Sequence, residues 1–235
     1  MGSLYLAKSI FKSLTDKSHT LVLHVPTPTR GVSDEIKQKY RKIKHEEIHG
    51  GHLKIIRYPM FDETKNVLIR AFRYFLCHII QIYYGLIEKN IDTILVFSTP
   101  PTQGLVAVIL SKLKNLPIVY CLQDIFPDSI VNSGFIKRGS LLWRMGRSIE
   151  DFTYKHTDKI IVISNGFKEN LMSKGVPSYK IEVIPNWADE DAVLNVERSN
   201  NILFEKFDLD KNKELRVYYR AHEEGAATIN KYIRD

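Results

Sequence analysis

Apolar residues recur along this chain in two alternating rhythms. Leu4, Leu6, Ile10, Phe11 and Leu14 fall at helical spacing in residues 2–15, and HTLVLHVP (19–26) then alternates and stops at Pro26, which predicts a helix followed by a strand. GHLKIIRYP (51–59) predicts a second strand and residues 64–89 a long helix. IDTILVF (91–97) is a continuous apolar run, as suits a parallel strand buried on both faces. The rhythm goes on with a helix at 102–114, a strand at 116–124, a helix at 139–156, a strand at 158–164, a short helix at 165–175 and a strand at 180–185. Between the first two strands, TPTRGVSDEIKQKYRKIKHEE (27–47) is polar and charge-dense and predicts a long loop with room for a short helix.

Such alternation means βαβ units, and it predicts an α/β fold: a Rossmann-like, doubly wound parallel sheet with helices on both faces. After Pro185 the periodicity fades into a connector, LRVYY (215–219) predicts the opening of a new strand, and RAHEEGAATINKYIRD makes at most one helix. The expected division is a Rossmann-like domain over residues 1–195 and a linker with a divergent tail over 196–235.

Composition adjusts this picture modestly. Of the 235 residues, 44% are hydrophobic and 26% charged, which excludes global disorder. The formal net charge of +7 suits an anionic membrane surface, a phosphorylated substrate or nucleic acid, although no nucleic-acid module is recognisable. Cys77 and Cys121 each sit in an apolar run and read as buried thiols in a reducing compartment. The N-terminus lacks the pattern of a cleaved signal, and a cytosolic location is the expectation. Tyr74 to Ile87, YFLCHIIQIYYGLI, falls short of the ~20 apolar residues of a membrane span and contains His78 and Gln81. Two readings stay open for it: a core-facing helix, or a helix in a membrane interface with Arg70 and Arg73 at headgroup level.

In open parallel sheets, ligands sit beyond the carboxyl ends of the strands. The residues expected there are Thr27, Pro28, Thr29 and Arg30; Ser98, Thr99, Pro100 and Pro101; Asp124, Pro127 and Asp128; Ser164, Asn165 and Gly166; and Asn186 and Asp189. Ser98 or Thr99 is suited to cap the next helix, with the prolines at its first turn and the remaining N–H groups facing an anion; a plain helix start reads equally from these residues. Asp124 and Asp128 in QDIFPDS are placed to bind hydroxyls, with Asp124 the candidate general base, or simply to form a capped turn. His24, His52 and His156 read as structural. Walker, dinucleotide-binding and nucleophile-elbow motifs and metal-ligand spacings are absent from the sequence.

PTPTRG, STPPTQGLVAVILSKLKNLPIVYCLQDIFPDSIV and RSIEDFTYKHTDKIIVISNGFKENLMSKGVPSYKIEVIPNWAD, taken in order, resemble the N-terminal half of family 4 glycosyltransferases of the GT-B type, above all bacterial members that build O-antigen, capsule or exopolysaccharide. The resemblance implies half of a GT-B fold. It implies transfer of a sugar, usually with retention and with no metal or cofactor, from a nucleotide-sugar donor to a saccharide or polyprenyl-diphosphate-linked acceptor on the inner face of the plasma membrane. In that family the N-terminal domain supplies most of the acceptor site. Ser98, Thr99, Asp124, Asp128, Ser164 and Asn165 would then line the cleft, Asn186 the hinge, and Arg70 and Arg73 would meet lipid phosphates. The family normally begins with a strand and a glycine-rich loop ahead of the first helix, and a donor domain follows PNWAD. On that comparison the chain is expected to be truncated at both ends, with the donor domain missing and Glu223 and Glu224 no substitute for its glutamate pair. Three states remain open: a fragment inactive without a donor half, the acceptor-binding subunit of a split enzyme, or a non-catalytic membrane-surface remnant.

Overall fold

A computed structural model describes residues 2–29, 31–62, 64, 66–187, 197, 200, 202–206, 215–221 and 227–233. The chain divides into two compact units: residues 1–120 with 156–159, and residues 121–155 with 160–235. The elements run α1 (Gly2–Asp16), β1 (Leu21–Pro26), α2 (Asp34–Lys42), β2 (His45–Ile48), β3 (Leu53–Tyr58), α3 (Val67–Ile87), β4 (Ile94–Phe97), α4 (Gln103–Lys114), β5 (Ile118–Leu122), α5 (Asp128–Asn132), α6 (Leu141–His156), β6 (Lys159–Val162), α7 (Asn165–Ser173), β7 (Ile181–Val183), α8 (Leu203–Lys206), β8 (Leu215–Ala221) and β9 (Ala227–Ile233). Strands are hydrogen-bonded in the orders β1-β3-β2, β4-β5-β6-β7 and β8-β9. The α/β class read from the periodicity is the class observed.

In the first unit β1 runs parallel to β3, with Leu21 opposite Leu53 and Pro26 opposite Tyr58. β2 adds an antiparallel strand on the far edge, Glu46 facing Ile55. This strand lies in the stretch expected to be loop, and the sheet is therefore not wholly parallel. Its sequence, HEEI, has low strand propensity, but alternate side chains are partly covered, and Glu46 is held by Arg57 of β3 at 2.5 Å.

α3 starts at Asn66, whose side chain accepts from the N–H of Leu68 and Ile69. Its inner stripe, Arg73, Cys77, Ile80 and Tyr84, has helical spacing, and Cys77, Ile80 and Tyr84 pack with Tyr58 and Met60 in a small core. Its outer stripe, Leu68, Phe72, Phe75, Ile79, Tyr83 and Leu86, is exposed along the whole helix. One face of the helix thus packs on the core, and the other is apolar and exposed. Among the described residues, no helix is long and apolar enough to cross a membrane. Cys77 and Cys121 are free and buried, as expected, and burial pushes the Cys121 thiol up to about 11.

In the second unit β6 and β7 are parallel, with Ile160 opposite Ile181. Ile160, Val162 and Leu171 are fully buried and form the centre of this unit. The C-terminal segment departs from expectation: where at most one helix was read, β9 pairs antiparallel with β8, Leu215 opposite Ile233 and Ala221 opposite Ala227. Arg30, Asp189, Glu223 and Glu224 lie outside the described residues.

Candidate functional site

The second unit gathers polar side chains at the carboxyl ends of β5, β6 and β7. Asp124 is exposed just after β5 and accepts a hydrogen bond from Ser129 Oγ at 2.9 Å. Asn186, exposed three residues past β7, donates from Nδ2 to Gln123 Oε1 at 2.9 Å. Ser164 follows β6 and caps α7, its hydroxyl accepting from the N–H of Phe167 at 3.2 Å. Asn165 and Gly166 are exposed beside it on the first turn of α7. These groups offer carboxylate, amide and hydroxyl functions to a polyhydroxylated ligand.

Asp128 has a different position from Asp124. It is buried, and its Oδ2 lies 2.7 Å from Lys174 Nζ at the end of α7. The same ammonium reaches both oxygens of Glu150 in α6, at 3.1 and 3.2 Å, while Tyr154 Oη donates to Glu150 Oε1 at 2.6 Å and Arg147 bonds the other oxygen. Burial pulls the Asp128 carboxyl upward, but Lys174, Arg138 and Arg147 outweigh it and hold the group below its ordinary range. At Glu150 burial prevails over Lys174, Tyr154 and Arg147, and the carboxyl is raised. Asp128 is therefore a strut beneath the loop that carries Asp124, which corrects its expected role as a cleft-lining ligand. Close approach of α6 fixes the same loop: a Cβ at Gly146 would fall 2.7 Å from the Phe126 ring and 3.0 Å from Pro127.

Sequence reasoning missed Glu150, Lys174 and Arg147. The available signal was a glutamate on the inward stripe of a helix, Gly146, Glu150, Thr153 and Tyr154, since a buried carboxylate requires a partner.

In the first unit Ser98 is buried and Thr99 exposed after β4. Neither caps α4. The helix begins at Gln103 after Thr102, whose side chain makes no cap bond and instead meets His78 Nε2 at 2.7 Å. Gln81 Oε1 accepts from Gln103 Nε2 at 3.0 Å and sits 3.4 Å from His78 Nδ1, an arrangement that suits a neutral imidazole protonated on Nδ1. Arg73 is also corrected. It is buried and donates to Thr29 Oγ1 at 2.9 Å and to the Phe61 carbonyl at 3.1 Å, tying together the loops after β1 and β3 rather than facing lipid phosphates. Arg70 is half-buried on the same helix.

His24 lies 3.3 Å from Glu88, and burial is the largest influence on it. Burial lowers the pKa of both His24 and His78 below the ordinary 6.5. The unfolded chain then takes up protons first, so stability present above pH 6.5 is lost as the pH falls through the folded values. Thermal midpoints measured from pH 8 down to 5 are expected to drop below ~6.5, and a His24→Gln, His78→Gln double variant to flatten that dependence.

The chain is thus an α/β protein with carboxylate, amide and hydroxyl groups at its strand ends. The model of Glycosyltransferase Family 4 matches residues 6–192, and the chain belongs to that family. Over 82 residues it is 29% identical to "Probable glycosyltransferase WbjE" of Pseudomonas aeruginosa, a match covering 35% of this chain and 20% of that protein. Two solved structures resemble 80% of the chain at low identity. Anabaena Alr3699/HepE in complex with UDP is 10% identical with a TM-score of 0.44, and LpCGTa in complex with UDP is 9% identical with a TM-score of 0.49. The chain spans about half the length of these structures, 50% and 52%.

Proposed function

We propose that this chain is the acceptor-side half of a glycosyltransferase of cell-surface polysaccharide assembly, moving a sugar from a nucleotide-sugar to a saccharide or polyprenyl-diphosphate-linked acceptor. The observation that supports it is the cluster of exposed Asp124, Ser164, Asn165 and Asn186 at the strand ends of the second unit. In this reading Asp124 takes the proton of the attacking acceptor hydroxyl, with Ser129 orienting the carboxylate, and Ser164, Asn165 and Asn186 bind neighbouring hydroxyls. Proximity and charge stabilisation in such a transfer come from the acceptor side and a donor-binding half together. Mixing the chain with a separately expressed family 4 donor half and radiolabelled nucleotide-sugar tests this: transfer is expected only when both are present. Absence of transfer to every lipid-linked and saccharide acceptor offered to the mixture counts against it.

A second observation supports a position on the inner face of the plasma membrane. The exposed stripe of α3, with Leu68, Phe72, Phe75, Ile79, Tyr83 and Leu86, joins a chain of net charge +7. An apolar helical face on a basic protein suits an anionic interface. Flotation with anionic vesicles is expected to carry the chain up the gradient, and Phe72→Glu with Phe75→Glu to leave it at the bottom. Equal flotation of the two proteins would remove α3 from the contact.

A further inference from the structure

We infer that Gln123 is a positioning residue of the strand-end site: its side chain holds Asn186 so that the asparagine presents Oδ1, an acceptor, to a hydroxyl of the saccharide. This role rests on the acceptor-side reading proposed above, in which these strand ends bind a sugar.

The contact crosses a strand. Gln123 directly follows β5 and Asn186 lies three residues past β7, yet Asn186 Nδ2 donates to Gln123 Oε1 at 2.9 Å. In the order β4-β5-β6-β7, β6 lies between these two strands. Alternate strands of a sheet are ~10 Å apart, so the two side chains reach toward each other over the carboxyl end of β6. The N–H of Ile184 still bonds the Val162 carbonyl of β6 at 2.9 Å, which keeps the chain beside β6 almost as far as Asn186. Ser164 caps α7 at that same end. The bridge thus brings the amide of Asn186 to the ends of β5 and β6, which carry Asp124 and Ser164.

The two ends of the bridge differ in rigidity. Gln123 is half-buried, and Cys121, Leu122 and Ile125 on either side of it are buried. The turn beyond it is braced by Asp128 on Lys174 at 2.7 Å and by the close approach of α6 at Gly146. Asn186 is exposed and follows an exposed Ile184. Gln123 is therefore the fixed partner and Asn186 the one that is held. A free surface asparagine loses rotamer freedom when it engages a ligand, and one fixed beforehand has less to lose.

The polarity of the bond selects the ligand group. A carboxamide carries an acceptor oxygen on one side and a donor NH2 on the other. With Nδ2 turned to Gln123, Oδ1 is turned away from it and is left to accept. Asp124, next to Gln123 in the chain, adds an exposed carboxylate. Acceptor oxygens of this kind suit a neutral sugar face that donates hydroxyl protons, and they disfavour a carboxylate or phosphate at the same place.

The test follows binding of methyl glycosides of glucose, galactose, mannose and N-acetylglucosamine to the full chain by backbone amide NMR. For the glycoside that binds most tightly, Gln123→Met is expected to raise Kd about three- to tenfold, since it fills the same space without an acceptor. Gln123→Glu can only accept from Nδ2 and is expected to bring Kd back to within about twofold of the parent. Asn186→Ala is expected to weaken binding, and Gln123→Met added to it to cost nothing more, because the glutamine acts through the asparagine. Equal Kd for the parent and Gln123→Met, no recovery with Gln123→Glu, or additive losses in the double variant each overturn the role of Gln123 while leaving the sugar site in place. A parent chain in which no methyl glycoside shifts Asp124, Ser164, Asn165 or Asn186 overturns the sugar site and the role of Gln123 together.

Discussion

Asp124→Asn is expected to lower kcat of the assembled transferase by about 10²–10⁴-fold while leaving its thermal midpoint unchanged. The side chain is exposed, and its hydrogen bond from Ser129 at 2.9 Å survives in the amide, whose oxygen still accepts. What the variant loses is the capacity to take a proton. Ser129→Ala separates the roles: it keeps the base and removes its orienting partner, so a smaller loss of kcat with an unchanged KM is the expected pattern. A kcat for Asp124→Asn within threefold of the parent would move the proton acceptor elsewhere.

The second large effect is on stability. Lys174→Met removes the cation shared by two buried carboxylates, Asp128 at 2.7 Å and Glu150 at 3.1 Å. Breaking a buried ion pair by deleting one partner leaves an uncompensated charge and costs about 3–5 kcal/mol. Urea denaturation followed by tryptophan fluorescence reads this directly, since Trp143 lies on α6 in the same unit. Asp128→Asn and Glu150→Gln added to Lys174→Met remove the stranded charges and are expected to recover most of the loss. A triple variant no more stable than Lys174→Met would assign the cost to lost packing of the lysine stem.

Features written into local sequence were legible. β4 and β6 stand out as unbroken apolar runs, and Ser164 precedes a helix with the residue types a cap requires. The double character of α3 was present in its composition, and the structure separates it into an inner stripe through Cys77 and an outer stripe through Phe72. The features that sequence reasoning missed depend on partners distant along the chain. β2 forms because β3 offers an edge and Arg57 holds Glu46, which HEEI alone does not announce. Arg73 looked like a surface cation because its acceptors, Thr29 and the Phe61 carbonyl, lie on two other loops. Asp128 looked like a twin of Asp124, four residues away, until Lys174 drew it into the interior. Spacing placed both carboxylates at the strand end but could not say which one faces solvent.

The most direct test of an acceptor-side half compares two ligands on the isolated chain by backbone amide NMR. Titration with a short saccharide acceptor is expected to shift the amides of Asp124, Ser164, Asn165 and Asn186, and titration with UDP- or GDP-sugar to leave the spectrum unchanged. Saturable binding of a nucleotide-sugar to this chain alone, with no response to saccharide acceptors, would contradict the assignment and place the donor on these strand ends instead.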